Sequence, residues 1–329
     1  MRNLIIAGYG VKVGYRKGML VIEGNGSKNT ISLVDLEQVV VVTGGVSITS
    51  RAVRAMIEHG VDLVFLGPRG IPLGRVYPPF INRTVNTRRQ QYIAYNNSVG
   101  VEVAKAIAEA KIRNQAGLLR RFARGIGDYE LRELSYRVQG YIDELRRVEA
   151  ARVDEARKMI VTIEAKAARV YWAGVAKLVP RDMGFEFRNQ DGVDLFNIML
   201  NYGYGIIYGE CWRALVLAGL DPYAGYLHTD RSGKPTLAFD YIEMFRCSTV
   251  DYPLLLMVRR GWRPQVENGL LIAKSRGEIA KRVISNLDRK VRVKGELLTL
   301  GQALKRWAFK LASYIRGDTR EYRGFIEDW

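Results

Sequence analysis

Up to about residue 77 the apolar positions come in short runs rich in β-branched side chains, at 4–6, 12–15, 19–22, 30–33 and 39–42. Gly8, Gly10, Gly18, Gly24 and Gly26 punctuate them, a pattern that predicts strands joined by tight turns. One stretch breaks the rhythm. Thr49 or Ser50 can cap a helix with its body at 52–57 and its end at Gly60. Strand spacing returns at 61–66 and 71–76. Tyr77-Pro78-Pro79 then reads as a linker, and from Val99 onward the apolar positions follow the 3.6-residue period of helices. Further helices are predicted over 128–178, 193–219, 237–260, 275–286 and 299–315, the first long enough to be two or more. The predicted fold class is α+β: a small β-rich domain over 1–84, linker included, followed by an all-helical domain over 85–329.

Charge adds a partner class. Lys and Arg number 51 against 34 Asp and Glu, a net charge of +17. Such an excess favours a polyanion bound through counterion release. Basic residues concentrate at Lys111, Arg113, Arg120, Arg121 and Arg124, and again at Lys281, Arg282, Arg289, Lys290, Arg292 and Lys294. Either group could line a DNA track through sequence-independent phosphate contacts. No basic segment has a membrane-facing amphipathic pattern, no apolar run approaches the ~20 residues that span a bilayer, and the start turns polar too soon for a signal peptide. A soluble, cytoplasmic protein without a membrane partner is expected. Cys211 and Cys247 lack a C-x-x-C arrangement and read as small buried residues.

The densest chemistry lies around His228, one of two histidines. Gly225-Tyr226-Leu227-His228 leads into a polar turn through Asp230, Arg231, Ser232 and Gly233, and then into an apolar, helix-like stretch carrying Asp240, Glu243 and Arg246. Asp240 and Glu243 are three apart, so a helix projects both carboxylates from one face. An imidazole with hard carboxylate oxygens suits Mg²⁺ or Mn²⁺, and Zn²⁺ less readily. Glu164 stands far away, in an alanine-rich run that permits close helix packing. His59 ends the predicted N-terminal helix, where its charge suits the macrodipole.

Taken in order, Glu164-Ala165-Lys166-Ala167-Ala168-Arg169-Val170-Tyr171-Trp172, Asn201-Tyr202-Gly203-Tyr204, Gly219-Leu220-Asp221-Pro222, the His228 segment and the Asp240–Glu243–Arg246 helix resemble the CRISPR-associated spacer integrase and endonuclease family. The likeness reaches back to Gly44-Gly45-Val46-Ser47-Ile48-Thr49-Ser50. It departs from the family at Ala165, where glycine is common, and at Met244, where proline is common. The resemblance implies that Glu164, His228 and Glu243 hold a metal ion, with Asp240 as a supporting catalytic carboxylate that orients His228 or a metal-bound water. From their positions and charge alone, Arg246 is expected to orient a carboxylate, and Tyr208, Arg231, Arg246, Arg289, Lys290 and Arg292 are expected to contact DNA. The resemblance further implies metal-dependent cleavage and joining of DNA, by transesterification into a CRISPR array, on double-stranded and branched DNA. The implied partners are a second copy, paired through the β-rich domain, and a small ferredoxin-like CRISPR adaptation protein. A structure-specific repair nuclease and a non-catalytic DNA-binding scaffold are the alternatives.

Overall fold

The computed structural model describes residues 3–24, 26–76 and 85–329. The expected Tyr77-Pro78-Pro79 linker lies outside the described residues. Strands β1 (Asn3–Ile6), β2 (Val11–Arg16), β3 (Met19–Gly24), β4 (Ser27–Ser32), β5 (Gln38–Val41), β6 (Val46–Ile48), β7 (Asp62–Leu66) and β8 (Pro72–Val76) form two four-stranded sheets, with helix α1 (Ser50–Glu58) between β6 and β7. One sheet runs β4-β3-β2-β6 and the other β1-β5-β7-β8. Thr49 caps α1, its side chain accepting from Ala52 N at 3.2 Å. The apolar pattern does not predict β6. Val46-Ser47-Ile48 becomes a strand by pairing in parallel with β2, a tertiary contact that three residues cannot encode alone.

The β1-β5-β7-β8 sheet is what couples the two parts of the chain. Side chains alternate across a strand, so Val39 and Val41 join Leu20, Leu33 and Met56 in a core between the sheets and α1. Val40, Val42, Val64 and Leu66 point the other way and join the large helical core. β5 is therefore buried on both faces, which explains its uninterrupted valine run.

The remainder is mostly helical: α2 (Val85–Ala94), α3 (Ser98–Ile126), α4 (Tyr129–Arg146), α5 (Val153–Leu178), α6 (Leu195–Leu217), α7 (Thr236–Glu243), α8 (Tyr252–Arg259), α9 (Ala273–Asn286) and α10 (Leu300–Ile315). Two short hairpins interrupt the expected all-helical region: β9 (Val266–Glu267) with β10 (Leu270–Leu271), and β11 (Lys290–Val293) with β12 (Glu296–Thr299). The run predicted over 128–178 divides into α4, capped by the Asp128 side chain, and α5. That over 237–260 divides at Cys247–Asp251, where one turn widens to π-type between α7 and α8. Both cysteines are free and buried, as expected. Helix α6 lies against the first region so closely that a Cβ on Gly205 would come within 2.5 Å of the Gly70 backbone.

Candidate active site

Three helices and one turn bring the site together. In α3 the stripe Ala104, Ile107, Lys111, Asn114 and Leu118 is spaced 3, 4, 3 and 4, so Lys111 follows the buried face of its helix. Its ammonium lies between two carboxylates, Glu164 of α5 and Glu243 at the end of α7, bonding Glu164 Oε1 and standing 2.6 Å from Glu243 Oε2. Arg246, one turn on, takes the other oxygen of Glu243 at 3.0 Å. Burial by itself would raise the Glu243 carboxyl, but Arg246, Lys111 and His228 together pull it down to about 2. Burial likewise opposes the Lys111 charge, and the Glu164 and Glu243 carboxylates outweigh it, holding the ammonium above its ordinary value. Two carboxylates thus enclose one cation in a site largely shielded from water.

His228 belongs to the turn before α7, and Asp240 holds that turn closed. Asp240 is fully buried. Its Oδ2 accepts from the backbone N–H groups of Tyr226 at 2.6 Å and Leu227 at 2.9 Å. Oδ1 accepts from His228 N at 2.8 Å and meets the ring Nδ1 at 2.7 Å. Gly225 is required for this approach, since a Cβ there would lie 2.7 Å from Asp240 Oδ2. With Nδ1 committed to a carboxylate, Nε2 is the nitrogen left for a ligand. Burial works against protonation of His228, but the bond to Asp240 and the charges of Asp240, Glu243 and Glu164 raise its pKa above the ordinary value.

An aromatic and basic wall adjoins these groups. Tyr208 stacks on Phe239 with ring centroids 5.2 Å apart, and Phe239 tilts toward His228 at 5.9 Å. Arg246 and Arg188 lie over the Tyr204 ring, at 4.6 and 5.5 Å. Tyr204 and Tyr171 each donate to buried Asp251 at 2.6 Å. A cleft of about 700 Å³ opens here, with Arg69, Arg188, Tyr204, Tyr208, Phe239 and Arg246 in its lining.

Glu164 and Glu243 come together on one cation, Asp240 meets His228, and Arg246 meets Glu243. Among the described residues, no group of three His, Cys, Asp or Glu side chains is gathered tightly enough to enclose an ion without rearrangement. Arg231 is exposed in the turn before α7, and Lys290 and Arg292 are exposed on β11. Arg289 is different. Its guanidinium bonds buried Glu327 at 2.5 and 2.9 Å and lies over Tyr252 at 4.9 Å, so it anchors the C-terminal segment. The basic residues on α3 also have partners within the protein. Lys111 is turned inward, Arg113 bonds Glu109, Arg120 bonds Gln139, Arg121 bonds Tyr252, and Arg124 bonds the Trp329 carbonyl. Sequence alone places Lys111 on a DNA track and gives no role to Arg188 or Asp251; the 3-4-3-4 spacing is the signal that marks Lys111 as buried.

A strand-rich region packed on a helical body is a fold shared with solved structures. A casposase bound to an integration product matches with a TM-score of 0.84 at 23% identity, covering 98% of this chain and 93% of that one. A Cas1 protein from Thermotoga maritima matches with a TM-score of 0.76 at 19% identity, covering 96% and 97%. Residues 4–281 match the family model described as CRISPR associated protein Cas1. The "CRISPR-associated endonuclease Cas1 2" of Saccharolobus solfataricus is 35% identical over 327 residues, 99% of this chain and 98% of that one. A "CRISPR-associated endonuclease Cas1 1" of Archaeoglobus fulgidus is 33% identical, covering 99% and 100%. The chain belongs to the Cas1 family.

Proposed function

We propose that this protein is a metal-dependent DNA endonuclease and integrase that joins new DNA into a CRISPR array by transesterification. The observation that carries the reading is the convergence of Glu164 and Glu243 on a single cation beside His228, whose ring is fixed by Asp240. Its family membership, the endonuclease names of its relatives and the net charge of +17 support DNA as substrate.

The donor chemistry fits Mg²⁺ or Mn²⁺. Glu164 and Glu243 offer hard oxygens and His228 offers Nε2. Among the described residues, buried Glu243 Oε2 has no hydrogen-bond partner of good geometry and stands 2.6 Å from the Lys111 ammonium. When bound, the ion would polarise a phosphoryl oxygen and help orient the attacking or departing hydroxyl. The protein's own groups prepare that chemistry. Asp240 fixes the imidazole and Arg246 orients Glu243. Arg231, Lys290 and Arg292 offer exposed charge to phosphates, and Tyr208 stands on the aromatic wall beside His228. A second copy and a small ferredoxin-like adaptation protein are the proposed partners in the cytoplasm; a chain of similar fold occurs in a Cas6-RT-Cas1–Cas2 complex, with a TM-score of 0.74 at 20% identity.

The test sets Mn²⁺-dependent cleavage of branched DNA against oriented insertion into a repeat-containing duplex. Wild type is expected to do both. Glu164→Ala, His228→Ala and Glu243→Ala are each expected to lose both by roughly 10²–10³-fold, the scale of removing one group that stabilises transition-state charge, with DNA affinity nearly unchanged. Cleavage without insertion would favour a repair nuclease, and neither activity would leave only a DNA-binding scaffold.

A further inference from the structure

Lys111 has no part in the chemistry derived above, yet its ammonium stands at the centre of the site. It fills the space between Glu164 Oε1 and Glu243 Oε2 and is itself mostly buried, its side chain 12% exposed. Arg246 already occupies Glu243 Oε1. The same two oxygens cannot face an ammonium and a divalent ion at once, because cations that close together in a shielded site repel strongly. A lysine suits such an alternation. Its charge is a compact point on a flexible four-carbon stem, without the fixed planar fork of arginine. The rest of the site does not need Lys111 to keep its shape. Asp240 clamps His228 through bonds that do not involve it. Neighbouring Asn114 independently ties α3 to the Met244 carbonyl at 2.9 Å, immediately beyond Glu243.

We propose that Lys111 is a resident counter-cation: it holds Glu164 and Glu243 together while the site is free of metal, and a divalent ion enters by displacing its ammonium. Lys111 therefore sets the affinity of the site and its readiness to load. This inference rests on the reading of Glu164, His228 and Glu243 as metal ligands. Displacement lowers apparent affinity in proportion to the fraction of molecules with the ammonium withdrawn. A lysine that fills the site about 90% of the time weakens binding about tenfold.

The test is calorimetric titration of the full-length, metal-free protein with Mn²⁺, without DNA, in wild type, Lys111→Met and Lys111→Arg. Lys111→Met is expected to bind Mn²⁺ about tenfold more tightly than wild type. It should also melt at a lower temperature without metal, since two buried carboxylates lose their shared cation, and Mn²⁺ should restore more of its stability than in wild type. Lys111→Arg keeps the charge in a bulkier, planar form and is expected to bind more weakly than wild type. Should Lys111→Met not fold, the Lys111→Arg comparison carries the test. Equal or weaker binding by Lys111→Met, or equal binding by Lys111→Arg, overturns the proposal and leaves the metal site standing. Failure of every protein, wild type included, to bind Mn²⁺ overturns the metal-site reading and this inference with it.

Discussion

Asp240 uses both oxygens on three consecutive backbone N–H groups and one imidazole nitrogen. Its carboxylate is the reason the 226–228 turn has one shape. Against the opposing effect of burial, its bond and charge, with the charges of Glu243 and Glu164, raise the pKa of His228. The sign follows from linkage. A raised folded-state pKa contributes stability that is fully present below the unfolded value near 6.5 and is lost as pH rises through the folded value. In metal-free protein, the imidazole resonance missing from His228→Ala should therefore titrate above 6.5, and Asp240→Asn should move it downward. The stability lost in Asp240→Asn should be larger near pH 6 than near pH 9, with the backbone share of the loss common to both. An unmoved resonance would show that Asp240 serves the backbone alone. This arrangement was largely legible in the sequence: the i,i+3 carboxylates and the glycine-led His228 turn stand within about twenty residues of each other. Lys111 was not, because a lysine among other basic residues reads as surface. Only its register with Ile107, Asn114 and Leu118 betrays the buried side of the helix.

Among the elements, the β11–β12 hairpin departs most from the helical pattern around it. Val291 and Val293 point inward, and Lys290 and Arg292 point to solvent. The turn takes positive φ at Lys294, 51°, and Gly295, 81°, which suits a two-residue hairpin loop. Lys-Gly is a poorer signal for that turn than Asn-Gly or Asp-Gly, and the surrounding charge hid the alternation. The strands of the first region were easier to read because their valines are bounded by glycines. The hairpin separates two roles that neighbouring basic residues merge in the sequence. Lys290→Ala with Arg292→Ala should flatten the dependence of log DNA affinity on log salt by up to about 0.9 for each phosphate no longer neutralised, without lowering the melting temperature. Arg289→Ala should instead destabilise the fold by about 2 kcal/mol, the scale of charge-assisted hydrogen bonds to a group left unpaired, because Glu327 is buried beside it. Coincident salt slopes for wild type and the double variant would place the DNA track elsewhere. A thermally neutral Arg289→Ala would contradict the anchoring role.

At the scale of the molecule, the strand-rich region and the helical body share a sheet. β5 faces Leu20 and Met56 on one side and the helical core on the other, and α6 meets the 67–70 segment almost backbone to backbone. Helix α6 also carries Tyr204 and Tyr208 beside the site, so the fold that joins the two regions fixes one wall of the chemistry. The division of the chain near residue 80 was legible from the change from short, glycine-bounded apolar runs to a 3.6-residue period. The shared sheet was not, because parallel pairing joins segments far apart in sequence. On the proposed reading, Glu164, Glu243 and His228, drawn from α5, α7 and the turn before it, meet on one divalent ion. Anomalous scattering at the manganese edge, from crystals soaked in Mn²⁺, would locate that ion. One strong peak is expected among Glu164, Glu243 and His228 Nε2, with the Lys111 ammonium moved from between the carboxylates, and no such peak in His228→Ala. A peak elsewhere, or crystals saturated with Mn²⁺ in which these side chains hold no ion, would contradict that reading.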